Sequence, residues 1–209
     1  MARTSGQETR EKLIRAAEEV FAAQGTDGAQ LRDIVRLAGQ NNPSAVQYHF
    51  GSRAGLLDAV MAGRQARTEQ VLAPLLDELG EDCGVRELLA ALIAAEASLL
   101  ADDRGRRCLR ISAQLTHETG LRTGSLHPAL DGTAYGRLIG RMGERLDALP
   151  GPVRLERLDL ALTLIGAALA DRAHQRLDGI ESLTGDELFL ADLVETTTAF
   201  LCARAPGNA

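Results

Sequence analysis

Hydrophobic residues recur every three or four positions along most of the chain, and no segment shows the strict alternation that is typical of a strand. The first helix carries an apolar stripe formed by Leu13, Ile14, Ala17, Val20 and Phe21. Ser5 and Glu8 match the S-x-x-E capping box, which predicts that this helix starts at Ser5. Gly25 is a natural residue at which it would stop.

Short helices are predicted next. Apolar residues at 31–38 share one helical face. Asn42 is suited to cap a third helix, and Pro43 suits the first helical position, where its missing N–H does no harm. This third helix is expected to end near Phe50, after which Ser52 can cap a fourth.

The remaining pattern predicts longer helices at residues 85–101, 107–117, 128–149, 153–177 and 186–204. The expected fold class is all-α, with about nine helices. Three short helices in the first fifty residues, with a tight turn between the second and third, describe a helix-turn-helix. We therefore expect a helix-turn-helix domain at residues 1–51 and a larger helical bundle domain at residues 52–209.

The third helix has the chemistry expected of a DNA-contacting helix. Residues 37–52 contain no charged side chain, and Arg36 and Arg53 bracket them. Carboxylates would repel phosphate, whereas neutral polar groups can hydrogen-bond to base edges. The candidate neutral groups are Asn41, Asn42, Ser44, Gln47, Tyr48 and His49. Arg36 and Arg53 would then contact phosphates.

A purely structural interpretation of these residues remains open. The Asn-Asn-Pro sequence is also an ordinary turn, and Tyr48 and Phe50 would serve equally as core aromatic residues.

The segment resembles a known family in its combination of motifs. The sequences LRDI at residues 31–34, AG at 38–39, YHFGSR at 48–53 and LL at 56–57 look like the N-terminal signature of TetR-type transcriptional regulators. The resemblance covers about residues 9–62. It implies that His49 is the signature histidine and that Tyr48 fills a variable, often aromatic position. It also implies that Arg53 stands where the family usually has a phosphate-contacting lysine.

Three departures from the family pattern bear on DNA contact. Gln47 replaces the usual phosphate-contacting tyrosine and would contact a base instead. The turn at residues 40–43 is one residue longer than usual, which would shift the third helix. Ala29 and Gln30 replace a common Ser/Thr pair and so remove a helix cap.

The resemblance further implies a homodimer in which the last two helices pair with those of a second copy. Residues 160–170 are apolar nearly all round and rich in small residues, which permits close helix packing. An intramolecular core helix is the alternative. The candidate dimer residues are Leu164, Gly166, Ala167, Ala170 and Phe200. Such a dimer would bind a near-palindromic double-stranded operator.

A pocket for a small-molecule effector in the middle helices is also implied by the resemblance. Tyr135 is the only aromatic residue between Gly51 and Leu188, which disfavours a flat multi-ring effector. Candidate polar lining residues are Arg110, Gln114, His117, Tyr135 and His174.

Composition excludes several classes of protein. The longest uncharged apolar stretch has 11 residues, too few to span a bilayer, and the N-terminus has no apolar signal core. Three widely spaced cysteines favour buried, reduced thiols, and together these features predict a cytoplasmic protein. No catalytic motif is present, so we expect no enzyme, cofactor or metal site; the helically spaced His127/Asp131 and Asp171/His174/Asp178 sets are typical of charged surfaces.

The net charge of −6 is unevenly distributed. Residues 1–64 contain 8 Lys+Arg and 7 Asp+Glu, whereas residues 65–209 contain 15 and 22. The charge distribution predicts that the acidic body suppresses indiscriminate DNA binding. With the family resemblance, which implies a ligand-responsive repressor, we expect a sequence-specific DNA-binding regulator that a small molecule releases from its operator. The alternative is a helical ligand-binding or interaction protein with a degenerate DNA-binding head.

Overall fold

A computed structural model of the chain describes residues 2–40, 42, 44–115 and 130–205. Within these ranges the chain forms helices and no strand, which confirms the all-α fold class. A 3-10 turn at Ser98–Ala101 continues α5. The α-helices are α1 (Ala2–Gln24), α2 (Leu31–Leu37), α3 (Ala45–Phe50), α4 (Arg53–Glu78), α5 (Val85–Ala97), α6 (Asp103–Ser112), α7 (Ala134–Arg145), α8 (Gly151–Leu177) and α9 (Asp186–Cys202).

Several predicted helix starts are wrong, including those at residues 107 and 128, since α6 begins at Asp103 and α7 at Ala134. Helix α1 begins at Ala2, so Ser5 lies inside it, and Glu8 pairs with Lys12 at 2.6 Å. Helix α3 begins at Ala45, not after Asn42, because the Asn42 Oδ1 atom accepts a hydrogen bond from the Ser44 N–H at 2.9 Å and forms a turn before the helix. The predicted Ser52 cap is confirmed: its Oγ accepts from the Gly55 N–H at 2.9 Å.

Helices α1, α2 and α3 pack with the first half of α4 into a unit that we call the head. Its core consists mainly of Leu13, Ala17, Phe21, Ile34, Val35, Val46, Leu56 and Val60. Two residues of α6, Cys108 and Ile111, are buried in the same core. The head is therefore held against the rest of the molecule by shared apolar contacts, in addition to its chain connection.

The remaining helices form a second core, in the part of the molecule that we call the body. This core is built from the second half of α4 together with α5, α7, α8 and α9, and it includes Leu72, Leu88, Leu138, Leu162 and Leu193. The expected domain boundary after residue 51 lies between α3 and α4, while α4 itself contributes to both cores. No helix in the described ranges is long and apolar enough to cross a membrane.

The cysteines differ in their surroundings. Only Cys108 is buried, whereas Cys83 is half-buried and Cys202 is exposed, so the expectation of buried thiols is correct for one of three. Burial raises the pKa of Cys108 to about 12, which leaves this thiol protonated and unreactive at neutral pH.

We predict that Asp102→Ala lowers the free energy of unfolding by about 1 kcal/mol, because Asp102 caps α6 by accepting from the Gly105 N–H at 2.7 Å. Asp102→Asn should retain most of the stability. Partial burial alone would raise the pKa of Asp102, but the Gly105 amide and Arg67 outweigh it and leave that pKa below its ordinary 3.8. The part of the stabilisation that depends on the charge should therefore be complete above pH 3.8 and be lost as the pH falls through the lowered pKa.

Chemical denaturation of the wild type, Asp102→Ala and Asp102→Asn across this pH range measures the effect. Equal stability of wild type and Asp102→Ala at neutral pH would contradict the assigned cap.

Candidate nucleic-acid interface

Helices α2 and α3 form the predicted helix-turn-helix. Gly39 has a φ of +66°, which lets the chain leave α2 while the Gln40 N–H donates to the Val35 carbonyl at 3.0 Å. Val46 is 1% exposed and anchors the inner face of α3 in the head core. Gly51, with a φ of +72°, ends α3 before α4 begins. The outer face of α3 is thereby presented to solvent.

Most of the predicted base-contacting residues lie on that outer face. Ser44, Gln47 and Tyr48 are exposed. The side chain of Tyr48 is 84% exposed, so the interpretation of Tyr48 as a core aromatic residue is wrong. His49 is half-buried, with its ring edge-on to that of Tyr48 at 4.9 Å between centroids. Neutral donors and acceptors of this kind are the groups that hydrogen-bond to base edges in complexes with DNA.

Of the two asparagines that precede α3, the structure describes Asn42. Asn42 is exposed, and its Oδ1 accepts from the Ser44 N–H, so its amide NH₂ remains the group available for an outside partner. Asn41 lies outside the described residues.

Two exposed arginines lie on α2, the helix that precedes α3 in the head. The side chains of Arg32 and Arg36 on α2 are each 83% exposed, and Arg36 lies 3.4 Å from Asp33. An exposed pair of this kind is weak and can exchange its partner for phosphate at little cost.

Arg53 is oriented differently from the expectation. Its guanidinium donates to the Thr26 carbonyl, donates to the Ala29 carbonyl at 3.3 Å, and lies 5.4 Å from the centroid of the Phe21 ring. Its donors therefore face the α1–α2 turn within the head.

Arg10 is a candidate for phosphate contact that the sequence analysis did not identify. Its guanidinium carbon lies 5.0 Å from the centroid of the Phe50 ring, at the end of α3. The signal was present in the sequence, because Arg10 lies one turn before Leu13 and Ile14 and so extends the stripe of α1 that packs on the head.

The predicted effector-binding residues do not converge on one site. Arg110 donates to Asp178 Oδ1 at 3.4 Å, and His174 Nδ1 lies 3.1 Å from the other oxygen of the same carboxylate. The Gln114 Oε1 atom accepts from the Thr26 N–H at 2.9 Å. His117 lies outside the described residues.

Tyr135 lies elsewhere, between α4, α5 and α7. Its surroundings include Glu96 of α5 and Arg64 of α4, which form an ion pair, and burial raises the pKa of its hydroxyl well above the ordinary value. The Glu69 carboxylate accepts from the backbone N–H groups of Ala134 and Tyr135 at 2.8 and 2.9 Å, which fixes the start of α7. Sequence spacing did not indicate Arg64 or Glu96.

The predicted dimer residues fall on both sides of α8 and α9. Leu164 is 41% exposed, Phe200 is 36% exposed, and Ala167 is also exposed. Gly166 is half-buried. Ala170 is only 6% exposed and faces the protomer's own core. The sequence could not show this, because a helix that is apolar nearly all round does not reveal which of its faces is internal. Ala170 is therefore placed as a core residue.

Comparison with known proteins follows this division between head and body. The sequence model of the family described as bacterial regulatory proteins, tetR family, matches residues 13–60, which span the head. The chain is 38% identical over 89 residues to the helix-turn-helix (HTH) type transcriptional regulator SrpR of Pseudomonas putida, covering 43% of this chain and 38% of SrpR. It is 39% identical over 88 residues to the HTH-type transcriptional regulator TtgW, also of Pseudomonas putida, covering 42% of this chain and 60% of TtgW.

The fold of the whole chain is also found in a solved structure. A TetR-family transcriptional regulator from Rhodococcus sp. superimposes with a TM-score of 0.54 over 93% of this chain and 99% of the other, at 16% sequence identity. The matched stretches cover 38% of SrpR and 60% of TtgW, so the sequence similarity spans only part of each relative, whereas the similarity of fold covers 93% of this chain. Residues 13–60 therefore match the tetR family of bacterial regulatory proteins in sequence, and the chain as a whole shares its fold with a TetR-family regulator.

Proposed function

We propose that the protein is a sequence-specific DNA-binding repressor that a small molecule releases from a near-palindromic operator. The observation that carries DNA binding is the outer face of α3, where Gln47 and Tyr48 are exposed on a surface without formal charge. The exposed Arg32 and Arg36 lie beside it on α2. This arrangement supports base contacts from α3 and phosphate contacts from α2.

A selection experiment tests this function directly. Purified protein is offered fragments of its source genome, and the bound fragments are sequenced. Enrichment of one near-palindromic sequence, with half-sites about 34–36 Å apart, is the expected result. Absence of any enriched sequence would instead favour a helical ligand-binding protein with a degenerate head.

We predict that replacing both Gln47 and His49 with Ala weakens operator binding by about 100-fold or more, because each lost base contact contributes roughly 1–3 kcal/mol. Fluorescence anisotropy with the selected operator measures the dissociation constant. Gln70→Ala, an exposed glutamine in the second half of α4, is the control and should bind as the wild type does. Operator affinity that is unchanged in the double variant, with the fold intact, would contradict the role of α3.

Dimerisation is proposed through the exposed apolar face of α8 and α9, with a second copy of the chain as its occupant. Leu160, Leu164 and Ala167 follow one another at helical spacing on α8, and all are exposed. Leu188 and Phe200 are exposed on α9, which packs against α8. Dimers are typical of this family, and a two-fold pair of heads suits a near-palindromic operator.

Leu164→Glu is predicted to raise the dimer dissociation constant by roughly 30-fold or more, since it places a carboxylate in an apolar interface. Sedimentation equilibrium should show a shift from twice the chain mass toward the chain mass. Leu37→Glu is matched in exposure, at 50% against 41%, but lies on the head, and it should leave the assembly unchanged. A Leu164→Glu variant that remains as dimeric as the wild type would exclude this face.

We propose that the effector binds at a polar cluster between α4, α5 and α7. This site replaces the predicted set of polar lining residues, which do not converge on one site. Arg64, near the middle of α4, pairs with Glu96 of α5 in the neighbourhood of Tyr135. The Nε of Arg64 and the Oγ1 of Thr68, one turn further along α4, are buried and have no hydrogen-bond partner among the described residues. Such donors favour a small molecule that carries a hydrogen-bond acceptor on an aliphatic body.

Thr68→Val should weaken binding of an acceptor-bearing aliphatic compound about fivefold, because it removes one donor at nearly constant shape. Octanamide, 2-octanone and octanoate are suitable probes, with thermal stabilisation as the measurement. Thr197→Val is the control, since Thr197 is equally buried and its Oγ1 is equally unpartnered among the described residues, but it lies on α9. This cluster would be excluded as a site for this class of compound if a probe stabilised Thr68→Val and Thr197→Val equally. It would also be excluded if no probe stabilised the wild type.

A further inference from the structure

The turn between α1 and α2 is held from two sides by side chains of other helices. The Gln114 Oε1 atom, just past the end of α6, accepts from the Thr26 N–H at 2.9 Å. The Arg53 guanidinium, at the start of α4, donates to the carbonyl of the same residue. Thr26 is 8% exposed, so both hydrogen bonds are shielded from solvent competition.

The turn itself is a compact unit. The Ala29 N–H donates to the Gly25 carbonyl at 3.1 Å and closes it. Gly25 has a φ of +82°, and a Cβ atom at this position would lie 3.5 Å from Gln114 Oε1. The two peptide groups on either side of the Thr26 Cα are planar and are fixed within this closed turn. A displacement of one of them is therefore passed on to the other.

On one side, the turn is connected to the end of the DNA-contacting helix. Arg53 follows Phe50, the last residue of α3, by three positions, and Ser52 caps the helix that Arg53 begins. Arg53 also donates to the Ala29 carbonyl at 3.3 Å and lies over the buried Phe21 ring. These contacts fix the corner between α3 and α4 against the α1–α2 turn.

On the other side, the turn is connected to the body. Gln114 lies two residues after α6 ends at Ser112, and its own N–H donates to the Ile111 carbonyl at 3.0 Å. Helix α6 packs along α8, so it responds to rearrangement of the body helices. The position of its C-terminal end is therefore coupled to the Thr26 N–H.

We propose that Gln114, Thr26 and Arg53 form a hydrogen-bonded relay that couples the C-terminal end of α6 to the orientation of α3. The inference rests on the proposed function, because the relay would be the route by which a change in the body alters the affinity of the head for DNA. Gln114 and Arg53 are positioning residues: neither needs to contact DNA or effector, and each acts through the α1–α2 turn.

Other contacts between α6 and α1 are distinct from this relay and provide controls. Arg104 donates to the buried Glu18 carboxylate at 2.7 Å, and Arg107 lies 3.6 Å from Glu19. Both pairs hold α6 against the middle of α1, away from the corner between α3 and α4. Arg107→Met therefore removes an α6–α1 contact without interrupting the relay.

The first test uses the free, full-length protein and does not depend on DNA. Gln114→Met keeps the side-chain length but removes the acceptor, and should shift the amide resonances of Tyr48 and His49 and speed hydrogen exchange at Thr26. Gln114→Glu retains an acceptor and should restore both. Arg107→Met should leave α3 unchanged.

A double-mutant comparison decides whether Arg53 carries the effect. In an Arg53→Met background, Gln114→Met should produce no further change in the resonances of α3. Arg53→Lys keeps one donor and should restore part of the coupling. The relay would be overturned if Gln114→Met left the α3 resonances unchanged. It would also be overturned if Gln114→Met shifted them equally in the wild-type and Arg53→Met backgrounds.

The second test uses the selected operator. Gln114→Met and Arg53→Met should each weaken binding about tenfold, which corresponds to a typical coupling between sites. The slope of log affinity against log salt should stay constant, whereas loss of a phosphate contact would reduce it by about 0.9. A reduced slope for Arg53→Met would overturn its inward role. If no operator exists, the proposed function fails, and the resonances of the free protein alone decide the relay.

Discussion

Burial of Cys108 and Ile111 from α6 in the core of the head is the contact on which the arrangement of the molecule depends. A helix-turn-helix of this size has a small core of its own, and α6 completes it from outside. The contact with α6 therefore contributes to the core of the head. Because a close-packed core resists deformation, this contact holds α6 and the head in one arrangement.

Apolar contact alone fixes the distance between α6 and the head but leaves their relative direction poorly defined, since it has no angular preference. Hydrogen bonds supply that direction. The Gln114 carbonyl oxygen and the Arg53 guanidinium meet opposite polar groups of Thr26, and the Arg104–Glu18 pair aligns α6 with α1. The same interface thus combines a non-directional attraction with a few directional contacts, which is the combination required for a defined but adjustable orientation.

Helical periodicity predicted the fold well because each helix buries one face. The bounds of α8 and α9 differ from the prediction by two residues or fewer at each end, whereas α1 begins three residues before Ser5. The neutral polar character of α3 was also readable from the sequence, which has no charged residue at 37–52. The inward orientation of Arg53 was not, because its partners are carbonyl groups of a turn 24 to 27 residues away. Spacing indicated that His174 and Asp178 are neighbours, but it could not show that Arg110 reaches the same carboxylate, because Arg110 lies on a different helix.

The inward orientation of Arg53 alters how affinity for DNA would be divided between charge and shape. The segment at residues 1–64 carries 8 Lys+Arg against 7 Asp+Glu, so each arginine that turns inward removes a large part of the available excess. In the proposed complex, Arg10, Arg32 and Arg36 would supply most of the attraction to phosphate near α3, while residues 65–209 carry 15 Lys+Arg against 22 Asp+Glu. With few phosphate contacts, nonspecific binding would be weak, and complex formation would depend on base contacts from a correctly oriented α3. A contact that fixes this orientation would therefore affect operator affinity more strongly here than in a protein with a large basic surface, which would stay bound to DNA even when its recognition helix is misaligned.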